Sequence, residues 1–174
     1  MDRFRDQVDK INVEVVSPDG SVKGLYNGRT GFTIRIDDHR LDKHTEDSLS
    51  QQIEATVRSA IDGSQAAHER VHEKRHGKRR PADELPQSVR DRRAAIAESV
   101  AEIHTVKKSA NGWVKVGFSE DSGMRVKIRK GTLQNGPIRN PNASAITIAN
   151  SVNEALTSAI SDYTKKYFAT KIAL

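Results

Sequence analysis

Two stretches decide the fold: SPDGSVKGLYNGRTGFTIRI, residues 17–36, and SANGWVKVGFSEDSGMRVKI, residues 109–128. A shift of 92 residues lays one on the other without a gap. Extended back to Ile11 and Ile103, the match holds seven identities in 26 positions. These are Ile11/Ile103, Ser17/Ser109, Gly20/Gly112, Val22/Val114, Lys23/Lys115, Gly31/Gly123 and Ile36/Ile128, while Tyr26/Phe118, Ile34/Val126 and Arg35/Lys127 are chemically similar. Paired turn glycines in collinear order mark an internal repeat, because chance likeness between two α+β stretches rarely supplies both.

Working outward, the apolar period sets the elements. In the first copy, strands are expected over 13–17, 22–26 and 32–36, joined by the Pro18-Asp19-Gly20 turn and by a turn over 28–31. In the second, a strand around Val106 is followed by the Asn111-Gly112 turn, a strand over 113–118, a turn over 120–123 and a strand over 124–129. Tight turns of this kind make antiparallel hairpins. A three-stranded meander needs a helix on one face to be stable. Segments 46–75 and 145–169 supply one each, with Leu49, Ile53, Val57, Ala60 and Ile61, and with Ile148, Val152, Leu156 and Ile160, at helical spacing. These helices match at an offset of 99, so the second copy has seven extra loop residues within TLQNGPIRNPN. A leading helix over 88–103 precedes the second meander, and only a short one over 3–10 precedes the first. Asp37, Asp38 and His39 are expected to cap the helix that follows them. The expected fold is α+β, with two tandem α-β-β-β-α repeats at residues 1–76 and 88–174 joined by a basic linker at 77–87.

Composition bounds the chemistry. The chain has 174 residues, 35% hydrophobic and 5% aromatic, with no cysteine, so disulfide scaffolds, thiolate metal sites and cysteine nucleophiles are excluded. No apolar run approaches the ~18 residues of a membrane span. The opening MDRFRDQVDK has no apolar signal core, so a cytoplasmic protein with no membrane partner is expected. The net charge of +6 is unevenly spread: residues 1–61 carry −2, residues 62–93 carry +3 and residues 94–174 carry +5.

Positive charge falls in two places. In the last strand of the second copy, Met124, Val126 and Ile128 alternate with Arg125, Lys127 and Arg129, so one face is apolar and the other cationic. Lys107 or Lys108, Lys115 and Lys130 extend this set. The first copy has Thr33, Arg35 and Asp37 at the matching positions, with Glu14 nearby, and reads as structural. The second cluster runs through Arg75, Lys78, Arg79 and Arg80 to Arg92 and Arg93, with Arg70, Lys74 and Arg90 beside them. It lacks interleaved aromatics, which favours backbone contact with duplex DNA over single-strand binding. A solvated outer face or a protein-binding surface is the competing reading of both clusters.

One enzyme-like motif stands out. His68-Glu69-Arg70-Val71-His72 fits H-E-x-x-H, and His76 extends the same helical face. The surrounding ERVHEKRHGKRR is nearly all charge, whereas a catalytic zinc needs a walled cleft and a third ligand. No metal, cofactor, small-molecule substrate or enzymatic activity is therefore expected. Trp113, Phe118, Phe32 and Tyr26 are expected in the core or at an interface. Tyr163, Tyr167, Phe168, Ile172 and Leu174 form an apolar ridge at the last helix end, suited to homodimer formation.

The order of leading helix, meander with a D-G or N-G first turn, and long Ala-rich helix resembles the YbaB/EbfC family of nucleoid-associated proteins. The likeness spans roughly residues 11–75 and 88–170, and its motifs are the two hairpin patterns. It implies a small dimeric bacterial protein that binds duplex DNA with little sequence preference and resides in the nucleoid. Two fused copies would build that dimer inside one chain, as an intrachain pseudo-dimer. The short first leading helix, the seven-residue insertion and the basic linker depart from the pattern. A non-catalytic protein-interaction or secretion-accessory module with a YbaB-like fold that does not bind DNA is the alternative.

Overall fold

The hairpin turns show why serine and glycine recur at a spacing of 92. In the first, Ser17 Oγ donates to Asp19 Oδ1 at 2.8 Å and accepts from the Val22 amide at 2.9 Å, and Gly20 takes φ +74°. In the second, Ser109 Oγ donates to Asn111 Oδ1 at 2.7 Å and accepts from the Val114 amide at 3.1 Å, with Gly112 at φ +69°. A left-handed residue closes each turn, and only glycine takes that conformation without a Cβ penalty. The computed structural model describes residues 4–78, 81–119, 123–133 and 142–173.

From these turns two three-stranded antiparallel sheets grow: β1 (Asn12–Val16), β2 (Val22–Asn27) and β3 (Gly31–Ile36), then β4 (His104–Lys108), β5 (Val114–Ser119) and β6 (Gly123–Ile128). Their registers are the same after a shift of 92: Val16↔Lys23↔Arg35 in one becomes Lys108↔Lys115↔Lys127 in the other. The helices are α1 (Phe4–Asp9), α2 (Asp38–Leu41), α3 (Glu46–His76), α4 (Gln87–Ala101) and α5 (Ala145–Ala173). The expected elements are all present, with ends moved by one to four residues. Of the expected turn over 120–123, residues 120–122 lie outside the described residues, as do residues 134–141 of the insertion.

Side-chain caps start α2, α3 and α5. Asp37 caps α2 by accepting from the His39 amide at 3.0 Å. Thr45 and Ser48 form a reciprocal capping box on α3, at 3.1 and 2.9 Å. Ser144 and Thr147 exchange the same pair of bonds at the start of α5, at 3.2 and 2.9 Å. Glu46 and Asp47 in the first turn of α3, and Lys74 and Arg75 in its last, complement the helix dipole.

Each long helix packs on two strands of its own sheet and on one of the other: α3 on β1, β2 and β6, α5 on β4, β5 and β3. One buried cluster results, in which Val22, Ile34, Leu49, Ile53 and Val57 meet Val116, Val126, Ile128, Ile148, Val152 and Leu156. Burial of each such side chain stabilises the fold by about 1.5–3 kcal/mol. Close approach of α3 to its own sheet depends on Gly24, where a Cβ would sit 2.7 Å from Thr56 Cγ2. None of the described helices is long and apolar enough to cross a membrane.

The outer strands β3 and β6 expose backbone groups that an edge strand must satisfy. Asn153 of α5 accepts from the Ile34 amide at 2.7 Å and donates to the Ile34 carbonyl at 3.0 Å. On the other side, Glu54 of α3 accepts from the Val126 amide at 2.7 Å, and Ser50 Oγ accepts from the Ile128 amide at 3.1 Å. Glu54 and Asn153 lie 99 residues apart, the same offset that aligns the two helices. Asn153→Ala strips both partners from Ile34 and should lower unfolding free energy by about 1–3 kcal/mol in urea titration. Thr157→Ala, on the exposed face of the same helix, should stay within about 0.5 kcal/mol.

Candidate nucleic-acid interface

Strand parity decides which cations share a face. Val114, Val116, Val126 and Ile128 point into the core, so Lys115, Arg125 and Lys127 point out. Lys108, Lys115 and Lys127 stand opposite one another across β4, β5 and β6, in a row about 10 Å wide. Arg129 follows Lys127 at the end of β6, where its amide donates to the Trp113 carbonyl at 2.8 Å. Arg125 lies one row away and reaches Glu54 at 3.5 Å while staying mostly solvent-exposed. Lys130 is exposed beyond the strand end. Lys108, Lys115, Lys127, Arg129 and Lys130 form no ion pair among the described residues.

Four of these cations surround a depression of about 480 Å³ lined by Lys108, Gly112, Trp113, Lys115, Lys127 and Arg129. Trp113, expected in the core or at an interface, is half-buried: it packs against the core cluster and also borders this depression. Its parity with Lys115, two residues on, is the signal that places it on the outer face.

Lys107 does not join the row. It faces α5, where its ammonium lies 3.3 Å from Asp162, and Lys166 reaches the same carboxylate at 3.0 Å. Thr105 also donates to Asp162. The Thr105 hydroxyl, the Lys166 ammonium and the Lys107 ammonium hold the Asp162 carboxyl well below the ordinary carboxylate range, against a smaller opposing effect of burial. Adjacent lysines in a strand must face opposite ways, so only one of Lys107 and Lys108 can serve the outer surface.

The linker cluster is more dispersed. Arg75 lies in the last turn of α3 and Lys78 is exposed just beyond it, while Arg79 and Arg80 lie outside the described residues. Arg92 and Arg93 sit on α4, where with Ser88, Val89, Ile96, Tyr167 and Lys171 they line a groove of about 770 Å³ against α5. None of the sheet-face cations lines it.

The histidines of the H-E-x-x-H stretch lie in the C-terminal half of α3. His68 Nε2 is hydrogen-bonded to the Tyr26 hydroxyl at 2.9 Å, and burial pushes that phenol's pKa up. His72 and His76 lie ring against ring at 4.9 Å. Among the described residues no three or more His, Cys, Asp or Glu side chains gather as a metal site. The aromatic ridge begins inside, with Phe118 edge-on to Tyr163 at 4.5 Å, and ends outside, with Phe168 54% and Ile172 84% exposed. Leu174 lies outside the described residues.

The first sheet presents Val16, Lys23 and Arg35 in the matching row, with Glu14 and Thr33 in the next. Comparison with protein-family models, with curated proteins and with solved structures gave no match.

Because the pKa of Asp162 is depressed in the fold, its ionisation stabilises the protein above the unfolded carboxylate value near 4, and that contribution fades as pH falls below it. Asp162→Asn should therefore lower Tm at pH 7, with the gap to the parent protein narrowing below about pH 4 in thermal melts.

Proposed function

We propose that the chain is a tandem YbaB/EbfC-like protein whose two repeats form an intrachain pseudo-dimer, and that it binds duplex DNA without sequence preference in the nucleoid. The observation that carries this reading is the Lys108–Lys115–Lys127 row, three cations in cross-strand register with no carboxylate paired to them among the described residues. Like charges directly opposite one another weaken a sheet. A polyanion laid across the row relieves that repulsion and releases its own counterions. Arg125, Arg129 and Lys130 widen the surface, and Lys78, Arg92 and Arg93 supply further positive charge. Such contacts read the phosphate backbone rather than base edges. The shared register, the Ser-Asx turns at 17/19 and 109/111, and the edge contacts of Glu54 and Asn153 support the tandem, pseudo-dimeric arrangement.

The exposed Phe168 and Ile172 beside the α4–α5 groove favour a second role in self-association or protein binding. Charge reversal separates the two. Lys115→Glu, Lys127→Glu and Arg129→Glu together should abolish duplex binding in gel-shift assays while leaving the circular dichroism spectrum and the oligomeric state unchanged. Undiminished duplex binding by a folded triple variant would transfer the function away from the sheet face.

A further inference from the structure

The two sheets provide an internal comparison. At positions 92 residues apart Val16 becomes Lys108, Asp37 becomes Arg129, Thr33 becomes Arg125 and Ser21 becomes Trp113. Ser21 is buried and donates to Asp19 within its own turn. Trp113 makes no such turn contact with its side chain, although its amide still bonds Asn111 Oδ1 at 3.1 Å. Three of the four exchanges add a cation, and the fourth adds a large aromatic face beside them. Backbone contact with a duplex would use the cations but gives no role to the indole that borders them.

Within the fold the indole packs against the core cluster but meets no other aromatic ring among the described residues, and it borders the depression. Tyr26 pairs with Phe32 at 4.8 Å, Phe118 with Tyr163 at 4.5 Å, and Tyr167 with Phe168 at 5.8 Å. Trp113 has no ring or cation partner among the described residues, although four cations share its depression. A flat π surface beside several cations, in a depression of about 480 Å³, matches a ligand that combines a planar base with phosphate. That volume lies within the usual range of small-ligand sites, about 300–1,000 Å³.

We infer that Trp113 and the Lys108, Lys115, Lys127 and Arg129 cluster form a binding site for an unpaired nucleotide, its base stacked on the indole and its phosphate held by the ammonium and guanidinium groups. The inference rests on the DNA-binding reading insofar as it uses the same cations, and deepens it by adding preference for an unstacked base. Base–aromatic stacking tolerates every base, so the site selects unpaired over paired nucleotides and not one sequence over another. A single strand and a free nucleotide share this chemistry. The site prefers either to an equal number of phosphates in a blunt duplex, whose bases are already stacked.

The chain has one tryptophan, so fluorescence excited at the red edge of indole absorption, where its three tyrosines do not absorb, reports this site alone. The full chain is titrated at low salt with oligo(dT), with a blunt duplex of equal length, with dTTP and with inorganic tripolyphosphate. Saturable quenching by oligo(dT), with little from the duplex and none from tripolyphosphate, is the expected result. Equal quenching by dTTP would identify the free nucleotide as a sufficient ligand, and quenching by oligo(dT) alone would identify the single strand. Labelled oligo(dT) should bind Trp113→Ala about tenfold more weakly in anisotropy, with Trp113→Phe near the parent protein and blunt-duplex affinity unchanged. Duplex binding by anisotropy with no fluorescence change on adding oligo(dT) or dTTP would overturn the inference and leave the DNA-binding reading standing. Absence of all nucleic-acid binding, with dTTP still quenching, would do the reverse. Quenching by tripolyphosphate equal to that by dTTP would reduce the site to a simple anion site and overturn the inference.

Discussion

Two of the four strand edges, those of β3 and β6, govern this structure. β3 and β6 each end a sheet, and the row of amides and carbonyls on an unpaired edge must find partners or meet water. Here the helix that follows the other sheet crosses the edge, bringing Asn153 to Ile34 and Glu54 with Ser50 to Val126 and Ile128. The same crossing buries the apolar stripes of α3 and α5 on both sheets and merges them into one core. The orientation of the cationic face follows from it. With the inner residues of β5 and β6 committed to the helices, strand alternation leaves Lys115, Arg125 and Lys127 no direction but outward.

Much of this was legible in local pattern. The glycines of the first turns, the alternation of Met124, Val126 and Ile128 with cations, and the three- and four-residue spacing of Leu49, Ile53 and Val57 each encode structure over a few residues, where period and turn chemistry act. The edge contacts were not legible, since Glu54 meets Val126 across 72 residues and Asn153 meets Ile34 across 119. A single Glu or Asn on a helix looks like an ordinary solvated residue until the partner strand is placed beside it. The lysine pair at 107 and 108 was ambiguous for a related reason. Alternation requires them to face apart but does not say which faces out, and the answer depends on Asp162, more than 50 residues away. Trp113 sits just ahead of its strand, where a large aromatic reads as core, and only the assembled face shows it bordering the lysines.

The candidate interface is an electrostatic device more than a shaped one. Its cations are held by strand backbones at fixed spacing, so little ordering of the sheet is needed when an anion arrives, and the side chains stay flexible enough to follow an irregular backbone. The first sheet has the same register but a mixed row and a carboxylate at Glu14, so the two faces of one molecule differ in charge while sharing a scaffold. Among the described residues, that asymmetry confines the unpaired cationic row to the second sheet.

The most direct test of the account is fluorescence anisotropy of nucleic-acid-stripped protein on two unrelated labelled duplexes, titrated between roughly 50 and 200 mM salt. Four phosphate contacts predict equal affinity for both duplexes and a loss of about a hundredfold across that range, from a slope near 0.9 per contact. No binding at the low-salt end, or a strong preference for one duplex with a shallow slope, would contradict a backbone-reading cationic sheet.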